Sequence, residues 1–529
     1  MGAPQRFELA PDIADRLVAV VGAEHALRTD PERDEYRDPF WHQDDRSYDS
    51  SLVLFPADLE QVRAIVRIAN EHGVPLWTSS QGRNNGYGGP SPRVAGSVLL
   101  SLRRMNRVLE IDRELAYAVV EPGVTWFELR EALDAAGDHD LGFSIPDLAW
   151  GSVVGNSLDN GITYGPNGSD FQKLCGMEVV LADGDVLRTG LGAQPDNAAW
   201  HLIGRGYGPV LDPLFIQSNL GIVTRVGIWL MRRPEAFAPL FLTVPRHHQL
   251  AGALDALREL RLDGVVRGVP TVQNVVTMSA QFEHTRHLYL RADPAIDEAA
   301  LDALGDESGL GRWGARTALW GDAPVVEHQL DRIRRAWAQA VPGGRVISDR
   351  IYGRDEWHEM TTFFETVQAG IPSLDILKKT PASIGHVGFS PVLPLRGAAV
   401  AATVDRIPDT IVAEIGLNHV CALMLINDRT CIAVNSITFD VTDAATAERA
   451  YGTVRRLIAE AGERGYTEYR AHVDAMDLVA DQLSWGDHAY RRFVERIKDA
   501  VDPNGILAAG RHGIWPSRYR DDHHGQEPR

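Results

Sequence analysis

Cysteine is scarce in this chain. Cys175, Cys421 and Cys431 are the only three in 529 residues. They form no Cys-x-x-Cys pair and no zinc-ligand spacing, which excludes a disulfide framework and a structural zinc site and points to a reducing, cytoplasmic setting. Positive charge is short as well. Lys and Arg number 53 against 72 Asp and Glu, a formal net charge of −19. That balance excludes a general nucleic-acid binder, which needs a basic footprint. Long hydrophobic runs are missing: the apolar stretch Leu17–Ala23 is too short to span a bilayer and reads as part of an amphipathic helix. The N-terminus has no basic segment followed by an apolar core, and Arg6 stands where a myristoylation signal needs Ser or Thr, so no membrane association is expected. Several catalytic signatures are absent: G-x-G-x-x-G after a strand, the P-loop, G-x-S-x-G and H-E-x-x-H. His523-His524 is a lone two-ligand fragment, read as inert, and no metal is expected.

The most informative segment that is present is Ser79-Ser80-Gln81-Gly82-Arg83-Asn84-Asn85-Gly86-Tyr87-Gly88-Gly89-Pro90, directly after the apolar run Val74–Trp77. Gly and Asn accept backbone angles that other residues resist, so such a run can turn several consecutive N–H groups inward. A concave row of amides binds an anion such as a pyrophosphate. A permissive surface loop remains the alternative on composition alone.

The surrounding pattern is α+β. Ser51–Phe55 reads as a strand. Leu59, Val62, Ile65, Val66 and Ala69 fall on one helical face that His72-Gly73 ends. Strands are expected at Val98–Leu102, Val108–Ile111, Tyr117–Val120 and Gly221–Met231, with a hairpin over Glu178–Leu187 around Asp183-Gly184. From about residue 245 the texture changes. Helical segments at His248–Leu262, Val325–Ala340 and Ala444–Glu463 alternate with strands at Thr271–Met278 and Ile432–Phe439. The last helix is expected at Ala489–Ala500, and the polar tail after Arg520 is expected to be disordered.

Seven segments, in chain order, resemble the vanillyl-alcohol oxidase/p-cresol methylhydroxylase flavoprotein family, nearest its eugenol-oxidase and vanillyl-alcohol-oxidase branch. They are Gly82–Gly89, Val119–Thr125, Pro146-Asp147-Leu148 with Gly151–Asn156, Gln217–Thr224, Gly385–Pro391, Glu468–His472 and Asp502–Ile506. The resemblance implies a two-domain fold: an FAD-binding domain of residues 1–245 plus 466–529, and an inserted α+β cap of residues 246–465. It implies FAD held by Ser80, Gln81, Gly82, Arg83, Asn84, Asn85, Pro146, Leu148, Gly151, Ser152, Gly155, Asn156, Gly221, Ile222, Val223 and Arg511. His386 matches the histidine that attaches FAD through its 8α-methyl carbon; on the residue pattern alone it reads as a core histidine satisfied by one hydrogen bond.

By the same resemblance, Tyr87, Tyr469 and Arg470 hold a phenolic oxygen as phenolate, and Asp147 lies close to flavin N5; alone, Asp147 reads equally as a turn residue. The energetics of the clamp are consistent. A free phenol titrates near 10, so ionising it around pH 7 takes about 3 units, or roughly 4 kcal/mol. Charge-assisted hydrogen bonds contribute roughly 1.5–3 kcal/mol each, so two tyrosines and a guanidinium suffice where one donor does not. The implied reaction is hydride transfer from a benzylic carbon to the flavin through a p-quinone methide, with O2 reduced to H2O2. The implied partners are a phenolic substrate, O2 and a second copy of the chain.

Two departures stand out. Where relatives carry a His-His pair in the cap, this chain aligns Cys431-Ile432-Ala433, with Asn418-His419-Val420 nearby. Trp77, just before the glycine loop, reads as core packing. Two other functions stay open: a dehydrogenase passing electrons to a cytochrome, and a flavin-binding protein without phenol turnover.

Overall fold

The computed structural model describes residues 6–42, 44–279, 296–377, 383–416 and 418–523. Helix Leu59–His72 forms where the apolar period predicts it. Asp58 caps it by accepting the Gln61 N–H, and Gly73 ends it at φ +64°. Val62, Ile65, Val66 and Ala69 are fully buried. Each of the three branched side chains contributes about 1.5–3 kcal/mol by leaving water.

This helix belongs with a four-stranded sheet ordered Ala26–Leu27, Leu52–Leu54, Val98–Ser101, Leu76–Ser79, whose last three strands run parallel. A five-stranded antiparallel sheet follows, ordered Val108–Asp112, Tyr117–Val120, Ile222–Trp229, Leu174–Val180, Val186–Arg188. The expected hairpin is there, with Val180 opposite Val186 and Gly184 at φ +80° in the turn.

A third, ten-stranded antiparallel sheet takes strands from Ala236 to Glu468. Ala236–Val244 pairs along its whole length with Trp313–Gly321, and Ile384–Phe389 pairs with Thr430–Asp440. Helices Leu250–Leu262, Ala323–Ala340 and Gly397–Glu414 cover it with Leu254, Leu257, Val326, Ile333, Trp337, Val400 and Val404. A separate core joins Trp77 and Leu99 of the four-stranded sheet to Val387, Phe389 and Ile437 of the ten-stranded one. That shared core places the glycine loop after Ser79 beside strand Ile384–Phe389.

One element differs from its pattern. Thr271–Met278 is not one strand: it pairs as Thr271–Asn274 and then turns into a short helix, Val275–Ser279. Asn274 is the cause. Its Oδ1 accepts both the N–H and the hydroxyl of Thr277, which favours the helical turn over a continued ladder. Leu17 lies in an amphipathic helix, Pro11–Val21, and the last long helix is Trp485–Val501. The tail beyond residue 523 lies outside the described residues. Among the described residues, no helix is long and apolar enough to cross a membrane, and no group of three metal-ligating side chains occurs.

Candidate active site

The glycine loop opens a cleft of about 1200 Å3, part of it continuous with solvent. Ser80, Gln81, Gly82, Arg83 and Asn84 line one side. Gly151, Ser152, Gly155 and Asn156 line another, and Gly221, Ile222 and Val223 a third. Arg470 and Arg511 complete it. Thirteen of the sequence-predicted cofactor residues and one predicted catalytic residue therefore meet in a single cavity. Asn85, Pro146, Leu148 and His386 do not line it.

Local structure explains the shape. Among the described residues, the backbone N–H groups of Gly82, Arg83, Asn84 and Asn85 donate to no backbone carbonyl, which leaves a row of amides for an anion. Gln81 is fixed by its Nε2, which donates to the Gly123 carbonyl at 2.6 Å. Gly155 must lack a side chain: a Cβ there would stand 2.0 Å from Ser80 Oγ, so the loop and the short helix Val153–Leu158 pack backbone to side chain. This extended cavity, walled by close-packed glycines and lined by three arginines, Arg83, Arg470 and Arg511, fits a dinucleotide diphosphate.

His386 meets the loop from the ten-stranded sheet. A Cβ on Gly86, whose φ is +81°, would lie 2.6 Å from His386 Nε2. The ring packs on Phe40 at 5.0 Å and has no hydrogen-bond partner among the described residues. Burial holds its pKa below the ordinary histidine value, so the ring is neutral at pH 7.

Tyr87, Tyr469 and Arg470 come together. The two tyrosine rings are edge-to-face at 6.4 Å, and the Arg470 guanidinium carbon lies 5.7 Å from the Tyr87 ring and 5.4 Å from the Tyr469 ring. Burial, reinforced by Tyr469, pushes the Tyr87 phenol well above 10, so it is a donor at neutral pH. Its hydroxyl makes a long 3.4 Å contact with Ser390 Oγ.

Arg470 is oriented by Asp159, a residue that no motif in the sequence marks. Arg470 Nε donates to the Asp159 carbonyl at 2.5 Å and lies 3.5 Å from its carboxylate. Arg511 (3.2 Å), His512 (3.3 Å) and the Asn84 amide (3.0 Å) converge on the same carboxylate. Burial alone would raise the Asp159 pKa, but Arg470, His512 and Arg511 outweigh it and hold it well below the carboxylate range. Arg511 also lies 5.6 Å above Trp77, which is buried in the core.

Asp147 has different company. Arg316 Nη2 donates to both of its oxygens, at 2.7 and 2.9 Å, and Tyr164 donates to Oδ2 at 2.7 Å. Arg316 is 2% exposed and lies 4.1 Å over the Tyr164 ring. Burial would lower the Arg316 pKa; Asp147 and Tyr164 outweigh that and keep it charged. Arg316 was legible in one respect: it is the sole charge in the apolar strand Trp313–Gly321, and such a residue is rarely buried without a partner. Beside the tyrosine pair, Glu468 accepts the Ser390 N–H at 2.6 Å, and burial raises its pKa to about 8. Just before strand Val420–Met424, His419 is a buried neutral residue bonded to Asn435 at 2.7 Å, its pKa lowered by burial to about 4.

Comparison with known proteins follows the same lines. Residues 50–190 match an FAD binding domain. The chain is 32% identical over 502 residues to the 4-cresol dehydrogenase [hydroxylating] flavoprotein subunit of Pseudomonas putida, covering 94% of each chain. It is 30% identical over 508 residues to 1'-carboxy-chondrochloren decarboxylase of Chondromyces crocatus, covering 88% of this chain and 91% of that one. Among solved structures it resembles 4-ethylphenol oxidase from Gulosibacter chungangensis in complex with isoeugenol, at a TM-score of 0.91 and 35% identity, over 98% of this chain and 100% of that one. The fold is that of an FAD-dependent oxidoreductase. The chain belongs to the vanillyl-alcohol oxidase/p-cresol methylhydroxylase family.

Proposed function

We propose that this chain oxidises para-substituted phenols (4-alkylphenols, 4-allylphenols and 4-hydroxybenzyl alcohols) at the benzylic carbon, with O2 as electron acceptor. The supporting observation is the convergence of Tyr87, Tyr469 and Arg470 at the edge of the glycine-loop cleft. In this reading residues 1–245 and 466–529 hold FAD and residues 246–465 cap the substrate. When bound there, FAD would supply the hydride acceptor and the redox chemistry by which O2 becomes H2O2.

The protein's own part is to make the phenol a better hydride donor. The two tyrosine hydroxyls and the guanidinium hold the phenolate oxygen, and the charge pushed to the para position weakens the benzylic C–H bond. Arg470 needs no reorganisation, because Asp159 and Asn156 already fix it. Loss of hydride leaves the substrate as a p-quinone methide. Asp147, aimed by Arg316 and Tyr164, directs water to it or takes the proton of a benzylic alcohol. Arg511 adds positive charge to the cleft. His386, neutral and beside Gly86, is a competent nucleophile for an 8α-histidyl tether to FAD.

A screen for H2O2 release across para-substituted phenols, with meta isomers as controls, tests the reading: para isomers turn over and meta isomers do not. The Pseudomonas putida relative is a dehydrogenase subunit by name. Rapid mixing of reduced protein with O2 therefore decides the acceptor, and negligible reoxidation removes the oxidase reading. His386→Ala is expected to release FAD on acid precipitation; a yellow pellet from that variant refutes the tether.

A further inference from the structure

A second pocket, of about 830 Å3 and partly open to solvent, shares no lining residue with the glycine-loop cleft. Arg233, Trp320, Trp357 and Gln368 form its walls, with Arg232 and Arg267 also lining it. Trp320 and Arg316 lie on the same face of strand Trp313–Gly321, four residues apart, so the pocket stands about 13 Å along the strand from the Asp147 ion pair.

Its polar groups are left over from folding. Gln368 is 3% exposed, yet neither its amide nitrogen nor its amide oxygen has a hydrogen-bond partner among the described residues. The buried indole N–H of Trp357 has none either. Arg233 stacks on the Trp357 ring at 4.9 Å, and its guanidinium makes no hydrogen bond or ion pair among the described residues. Burial pulls the Arg233 pKa down, as expected of a cation without a close counter-ion. Arg232, by contrast, is committed: it donates to the Arg113 and Glu114 carbonyls at 3.2 Å and lies 3.9 Å from Asp140. Among the described residues, no acidic side chain lines the pocket.

Buried polar groups are nearly always paired, so an amide, an indole N–H and a guanidinium unpaired around one cavity mark a place for a ligand that pairs them. Its chemistry follows from the donors. An anionic oxygen suits Arg233 and the Trp357 N–H, and one further polar group suits Gln368. The flat apolar wall of Trp320 and Met231 suits an organic body. We propose that this pocket is a second ligand site that binds a small planar carboxylate, separate from the phenol clamp.

The probe is benzoate, with benzamide as its neutral isostere and inorganic phosphate as the anion without a ring. Titration calorimetry on the FAD-loaded protein is expected to show one benzoate per chain and at least tenfold weaker binding of benzamide and of phosphate. Arg233→Gln is expected to weaken benzoate at least tenfold, as loss of a charge-assisted hydrogen bond does, while Arg470→Ala leaves it unchanged. Gln368→Leu, which removes the amide without removing the charge, is expected to weaken it several-fold. Melting curves of each variant identify any that fail to fold, and the benzoate–benzamide comparison on the unaltered protein decides without them. Benzoate binding no tighter than benzamide overturns the proposal. So does benzoate binding lost in Arg470→Ala but kept in Arg233→Gln, which would put the ligand in the phenol clamp.

Discussion

Asp147 and Asp159 lie in one stretch of chain and are used in opposite ways. Asp159 is shared: Arg470, Arg511, His512 and Asn84 all converge on it in the cleft. Asp147 is held by one buried guanidinium and one phenol, and the guanidinium comes from the ten-stranded sheet. A carboxylate divided between two guanidiniums, an imidazole and an amide fixes directions, because each partner is oriented while neither guanidinium is neutralised alone. A carboxylate facing a single buried cation fixes a contact, because neither member tolerates loss of the other. On this view Asp159 orients the clamp and Asp147 ties the sheet to the segment beside the cleft.

That contrast can be broken by substitution, starting where the effect is largest. Arg470→Ala is expected to lower turnover of 4-ethylphenol by about 10²–10³-fold, the cost of losing one preorganised donor to a developing anion. Flavin content is expected to stay near that of the unaltered protein; equal losses of both would make Arg470 structural. Asp147→Asn leaves Arg316 buried beside a neutral amide. It is expected to cost about 3 kcal/mol by chemical denaturation, at the low end for a broken buried pair because Asp147 is 22% exposed. The double variant Asp147→Leu with Arg316→Met is expected to recover most of that loss, and a double variant no more stable than the single one would contradict the one-to-one clamp.

A third carboxylate sharpens the comparison, because Glu468 pairs with no cation among the described residues. Its folded pKa of about 8 stands above the unfolded value of 4.5, so between these limits the folded state binds the extra proton. Stability from this group is full below about pH 4.5 and falls as pH rises through 8. The slope reaches at most about 1.4 kcal/mol per pH unit. Glu468→Gln is expected to flatten that part of the melting-temperature profile. An unchanged profile would show that Glu468 is already ionised in the fold.

Much of this was readable from local pattern. The helix at Leu59–His72 follows its apolar period, the hairpin at Glu178–Leu187 its Asp-Gly turn, and the cleft its glycines and asparagines. Tyr87, Tyr469 and Arg470 were legible only through family resemblance, since nothing in their own segments says that they meet. Asp159 was missed because it looks like a turn residue after Leu158 and acquires its role from partners more than 300 residues away. Arg316 carried a signal, a charge inside an apolar strand, but the strand alone does not name its partner. At Thr271–Met278 the β-branched run was read correctly for its first half, and the side chain of Asn274 decided the rest.

The central claim is that the Tyr87–Tyr469–Arg470 cluster activates a phenol for hydride loss. The most direct measurement is anaerobic addition of 4-ethylphenol to the FAD-loaded protein while following the visible absorbance of the flavin, with Arg470→Ala alongside. The account predicts rapid, stoichiometric bleaching in the unaltered protein and bleaching slowed by at least about a hundredfold in the variant. A spectrum that 4-ethylphenol leaves unchanged, or bleaching equally fast in both proteins, would contradict it.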